Sequence, residues 1–88
     1  MKERYASTVE YVDRYGKAIK ELMVYTQFGK KPTIGDFTES FKDQGLEVEL
    51  RDFTNMIFKP IDPVSTPVIS LRIIRTLKDF TYSYSAKR

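Results

Sequence analysis

The chain has 88 residues, 41% of them apolar and 31% charged, and its formal net charge is +3. It contains no cysteine and no histidine. Disulfide frameworks, thiolate metal sites and self-contained serine–histidine, cysteine–histidine or zinc chemistries are therefore excluded, because they are built from thiol and imidazole groups.

The length predicts one domain, residues 1–88, with a small core. The mildly basic charge permits contact with nucleic acid or with an acidic partner. No run of about 18 apolar residues occurs, so no transmembrane helix and no membrane partner is expected. The start, Met1-Lys2-Glu3-Arg4-Tyr5, lacks the apolar core of a signal peptide, and the expected location is intracellular, in the cytoplasm. Walker-type, dinucleotide-type and calcium-binding loops are missing, so no cofactor, no metal and no small-molecule substrate is expected.

In chain order, Tyr5, Val9, Val12, Tyr15, Ile19, Leu22 and Met23 recur at spacings of three and four, which predicts a long amphipathic helix over residues 3–25. Gly16 falls inside that stripe and reads as a point of close helix approach or a kink. Phe28-Gly29-Lys30-Lys31-Pro32 then reads as a stop and a turn. Thr33 is placed to cap a second helix over residues 34–44, with Ile34, Phe37 and Phe41 inward and Gly45 ending it. Leu46 to Leu50 alternates like a short strand, but Leu50, Phe53 and Ile57 continue at helical spacing, and a third helix is the preferred reading. Lys59 to Pro67 holds three prolines and reads as a stiff connection.

The last third predicts a fourth helix. At about 100° per residue, Ile69, Ile73, Ile74, Leu77 and Phe80 share a broad stripe, while Arg72, Arg75 and Asp79 lie opposite. Ser65 or Thr66 is placed to cap it and Pro67 to open it. Thr81 to Ser85 alternates like a strand and is read as a continuation of that helix or a segment packed along the body. The expected architecture is thus all-α, four helices in two packed hairpins.

Three constellations carry candidate chemistry. A helix-turn-helix reader over residues 33–58 fits in outline, but its exposed face would lead with Glu47, Glu49 and Asp52 against Arg51 and Lys59, which suits a phosphate-lined groove badly. A phosphate-contacting surface fits better. Arg72 and Arg75 would face one way, Ser65, Thr66 and Ser70 would donate hydrogen bonds near a helix start, and Lys30, Lys31, Lys87 and Arg88 would add charge. The six tyrosines read mainly as packing groups with a hydroxyl at the edge.

The order of these parts resembles the SAM-like, core-binding N-terminal domain of the tyrosine recombinase, or phage-integrase, family. Ser7-Thr8-Val9, Val12, Tyr15, Ile19, Leu22 and Tyr25 match the outline of that domain's opening helix. Gly29-Lys30-Lys31-Pro32 and Thr33 to Phe37 match its basic turn and acidic helix. Leu50, Phe53 and Ile57 match the third helix, and Ser65 to Pro67, Arg72, Leu77-Lys78 and Phe80 the fourth. The motifs are degenerate: Val68-Ile69 follow Thr66-Pro67 where the family has a threonine and a β-branched residue. The resemblance implies a SAM-like bundle that clamps double-stranded DNA at a recombination site. It also implies a separate catalytic domain C-terminal to Arg88, so this chain itself would not be an enzyme. Lys30, Lys31, Arg72 and Arg75 would mainly contact phosphates, with Thr66 and Ser70 near backbone or base edges. The alternative is a small protein-binding regulator, such as an inhibitor encoded by a phage or mobile element, that uses the tyrosine-rich surface and the acidic patch at Glu47, Glu49 and Asp52 and makes no DNA contact.

Overall fold

The computed structural model describes residues 2–80. Its elements are β1 (Lys2–Asp13), β2 (Gly16–Gln27), α1 (Ile34–Asp43), β3 (Val48–Asp52), β4 (Ile57–Pro60) and β5 (Val68–Lys78). The strands form one antiparallel sheet in the order β2-β1-β5-β4-β3. The expected all-α, SAM-like four-helix bundle is therefore wrong, and with it the fold that the integrase resemblance implied.

The first expected helix is a hairpin. β1 and β2 pair from Lys2↔Gln27 to Asp13↔Gly16 without a register shift. The Asp13 carboxylate accepts from the backbone N–H of Tyr15 and Gly16 at 2.8 and 3.0 Å. Aspartate at the first turn position and glycine at the fourth is a pattern that tight turns favour. Gly16 has φ +148°, a conformation that a side chain resists. It turns the chain back instead of admitting a neighbouring helix.

The second segment is the helix expected. The Thr33 hydroxyl accepts from Asp36 N–H at 3.2 Å, and the Asp36 carboxylate accepts from Thr33 N–H at 2.9 Å, a reciprocal capping box. At the other end Leu46 N–H donates to Phe41 C=O and Gly45 N–H to Lys42 C=O, with Gly45 at φ +83°. That is a Schellman closure.

The preferred third helix is also corrected: residues 48–52 take the strand alternative, and Ile57–Pro60 form its partner. Lys59 and Pro60 thus belong to a strand, and the connection is shorter than expected. The fourth helix is β5. Thr66 and Pro67 do not open a helix; the Thr66 hydroxyl accepts from Val68 N–H at 3.3 Å just before the strand. The expectation for Thr81 to Ser85 lies outside the described residues.

One face of the sheet is covered by α1. Glu3, Tyr5, Ser7, Val9 and Tyr11 alternate toward it from β1, matched across the ladder by Leu22, Val24 and Thr26 of β2 and by Leu71 and Ile73 of β5. Phe41 of the helix meets Phe58 of β4 at 5.5 Å between ring centres, and Phe37 meets Phe58 at 6.4 Å. These two pairs and Val48 fill the space between helix and sheet. Ser7 is fully buried, and its hydroxyl shares a 2.7 Å hydrogen bond with that of Thr76, so no polar group is stranded there. Glu3, 2% exposed, accepts from Gly29 N–H and pairs with Lys78 at 2.7 Å.

Candidate nucleic-acid interface

The other face of the sheet has no covering element among the described residues. Strand alternation puts a different side-chain set there, and the ladder orders it in cross-strand rows. At one end Tyr25, Arg4 and Asp79 form a row. Arg4 binds Asp79 through two guanidinium nitrogens at 2.6 and 2.8 Å. The hydrogen bonds that Arg4 donates to Tyr25 and Asp79 hold the guanidinium above its ordinary pKa, so this row is electrically closed. Next comes an apolar row, Met23, Ala6 and Leu77.

Beyond it the face turns polar and mainly basic. Glu21, Thr8 and Arg75 form one row, and Ile19, Glu10, Arg72 and Ile57 the next. Lys17, Val12 and Ser70 follow, with Lys59 opposite Glu49 on the neighbouring pair. Where this end meets the proline-rich connection, Arg14, Arg51 and Lys59 line an open cleft of about 490 Å³ with Glu49, Ile61 and Ile69. Arg14 N–H donates to Pro67 C=O at 3.2 Å, tying the hairpin tip to the connection and forming one wall.

Ion pairs neutralise part of this charge. Arg72 lies 3.4 Å from Glu10 and Arg51 3.1 Å from Glu49; such exposed pairs are weak and exchange readily with other partners. Arg14, Lys17, Lys59 and Arg75 have no ion-pair partner among the described residues. Acids gather elsewhere: α1 carries Asp36, Glu39 and Asp43 against Lys42. The covered side is thus the more acidic and the open side the more basic.

The expected site residues are redistributed. Arg72 and Ser70 share the open face, though on a strand rather than a helix. Thr66 sits on the rim of the basic cleft. Lys31 and Arg75 meet at a second cleft of about 460 Å³, formed where β4 stops beside β5 and floored by Tyr5, Phe37 and Ile73. Lys30 is in the connection after β2, where its backbone C=O accepts from Thr26, away from the open face. Lys87 and Arg88 lie outside the described residues. Ser65 is held in its loop by bonds to Asp62. The acidic trio is divided: Glu49 faces the basic cleft, while the Asp52 carboxylate accepts from the Asn55 side chain and backbone at 2.9 and 3.1 Å, and these bonds lower its pKa.

Arg14 and Lys17 were missed because a helical reading spreads them around a cylinder, whereas a hairpin brings them to one end. The Asp13-Arg14-Tyr15-Gly16 turn pattern was the signal for it. Among the described residues no three carboxylates converge to hold a metal ion, and no helix is long and apolar enough to cross a membrane. No protein-family model, curated protein sequence or solved structure matches the chain.

Proposed function

We propose that this protein binds the phosphodiester backbone of a nucleic acid on the open face of its sheet, without catalysing a reaction. The observation that carries the reading is the gathering of Arg14, Lys17 and Lys59, unpaired among the described residues, at one end of the open face, with unpaired Arg75 at its edge beside the second cleft and the helix acids on the other side. Scattered point charges on a sheet surface meet phosphates, not base edges, and give position and affinity with little sequence preference. Arg72 and Arg51 add to it when their weak carboxylate pairs open.

The test is a fluorescence anisotropy titration with duplex and single-stranded oligonucleotides between 50 and 200 mM salt. Four phosphate contacts on a duplex give a slope of log K against log salt of about −3.6, and about −2.8 on a single strand. Over that salt range duplex affinity should fall about 150-fold. Lys59→Ala/Arg75→Ala should weaken binding and reduce the duplex slope by about 1.8, whereas Lys42→Ala on the helix should change neither. Absence of binding at 50 mM salt, or binding indifferent to the double substitution, overturns the reading. The apolar row Met23–Ala6–Leu77 favours a protein partner for the same face in that event.

A further inference from the structure

The two edges of the sheet are built differently. β3 is an edge of five residues, and its register shifts between Leu50 and Asp52. Shortness and a bulge are the devices that keep an edge from pairing with another chain. β2 is an edge of twelve residues with neither a bulge nor a proline. Its outer half, residues 16–21, is exposed on both faces, and Ile19 is 61% exposed at its middle.

We infer that β2 pairs with β2 of a second copy of this chain, antiparallel about a two-fold axis at Ile19. The charge pattern selects this occupant and this register. When an antiparallel pair is centred on residue c, residue i stands opposite residue 2c − i on the same face. Centred on Ile19, Lys17 stands opposite Glu21 of the second copy, and the symmetry repeats the pair on the other side of the axis. Ile19 meets Ile19, and Lys20 meets Ala18. Tyr15, 87% exposed at the hairpin tip, comes beside Met23 of the second copy.

Neighbouring registers fail. A centre at Lys20 sets lysine against lysine, and one at Glu21 sets carboxylate against carboxylate. A centre at Ala18 puts Lys17 opposite Ile19, and one at Leu22 puts Glu21 opposite Met23. Like charges directly opposite are unfavourable and opposite charges favourable.

The two-fold axis runs perpendicular to the sheet. The product is a ten-stranded sheet with both helices on one face and both open faces continuous on the other. The interface is isologous, so each copy consumes its own free edge and the assembly closes. The inference stands on the β2 edge; in the dimer Lys17 is paired with Glu21 of the second copy, and Arg14, Lys59 and Arg75 of each copy stay without an ion-pair partner among the described residues.

The test is sedimentation of the full chain over a concentration series, with Lys17→Glu, Glu21→Lys and the double reversal beside wild type. Wild type should approach twice the 10.3 kDa chain mass. Each single reversal should weaken association about ten-fold by placing like charges opposite twice, and the double reversal should restore it. In wild type, amide exchange at Gly16–Leu22 should slow with rising concentration, a readout that needs no variant to fold. A single 10.3 kDa species up to millimolar concentration, exchange at Gly16–Leu22 that is independent of concentration, or a dimer unmoved by either single reversal, would overturn the proposal.

Discussion

Phe53 and Phe58 separate the sheet from the helix more sharply than any other pair of residues. On a helix continuing from Leu50, Phe53 would pack with Ile57 on the inner stripe. In the sheet Phe58 is fully buried and Phe53, in the β3–β4 turn, is 70% exposed. Phe58→Ala should cost about 3–5 kcal/mol, the range for emptying a buried aromatic site. At about 0.05–0.15 kcal/mol per residue the whole chain has about 4–13 kcal/mol of stability, so that variant stands near the edge of folding. Phe58→Leu is the measurable partner. It keeps an apolar group but loses the ring pairs with Phe37 and Phe41, each contributing about 0.5–1.5 kcal/mol beyond its area. The expected loss is about 1–3 kcal/mol, and at about 4–8 °C per kcal/mol for a chain of this size the midpoint should fall by at least about 4 °C. Phe53→Ala should stay within about 0.5 kcal/mol of wild type. Urea unfolding followed by circular dichroism reads all three. Equal losses at positions 53 and 58 would refute the placement of both side chains.

Gly45 sits at φ +83° with open space around its absent side chain. Gly45→Ala should therefore lose about 1–2 kcal/mol from backbone strain alone, with no clash to repack, as thermal unfolding can check. The hydrogen bond from Lys78 to buried Glu3 raises the lysine pKa, and burial raises that of Tyr11. For both groups the protonated form is favoured by folding, so their contribution is complete below the unfolded pKa values and is lost as pH rises through the folded ones. The melting temperature should fall from about pH 10 upward, and Lys78→Met should remove part of that fall; a curve of unchanged shape would count against the pair. On the acid side, Asn55→Ala should raise the Asp52 pKa, read from its carboxyl NMR shift.

The helix over residues 34–43 was legible because local groups determine it: Thr33, Asp36 and Gly45 make its caps within a few residues. The strands were not, because their stripes obey two periods at once. Tyr5, Val9 and Val12 fit a helix at steps of four and three, yet Tyr5, Ser7, Val9 and Tyr11 are the residues that turn inward. Serine at position 7 hid the alternation, since it is buried through a hydrogen bond and not through apolarity. In β5 the register shift opposite Thr8 and Val9 breaks the two-residue period, leaving Leu71 buried and Ile69, Ile74 and Leu77 exposed. The density of β-branched residues from Val68 to Thr76 was the available sign of a strand. Arg72 and Arg75 were legible as candidate contacts because they are exposed in either conformation. Arg14, Lys17 and Lys59 were not, because their proximity is a product of ladder pairing between distant segments.

The position of β5 has a kinetic consequence. The strand formed by residues 68–78 is the middle of the sheet, with the β1–β2 hairpin on one side and the β3–β4 hairpin on the other. Until it is inserted, the two hairpins share no ladder, and residue 5 must find residue 78. Contacts of such sequence separation carry a large loop-closure penalty and slow the search. On the ribosome the hairpins would emerge first as separate units, their inner edges unpaired, and the sheet would close only when residues 68–78 had left the exit tunnel. Folding is then gated by the arrival of one late strand, and the interval before it arrives is when the nascent chain is most exposed to chaperones and to mispairing.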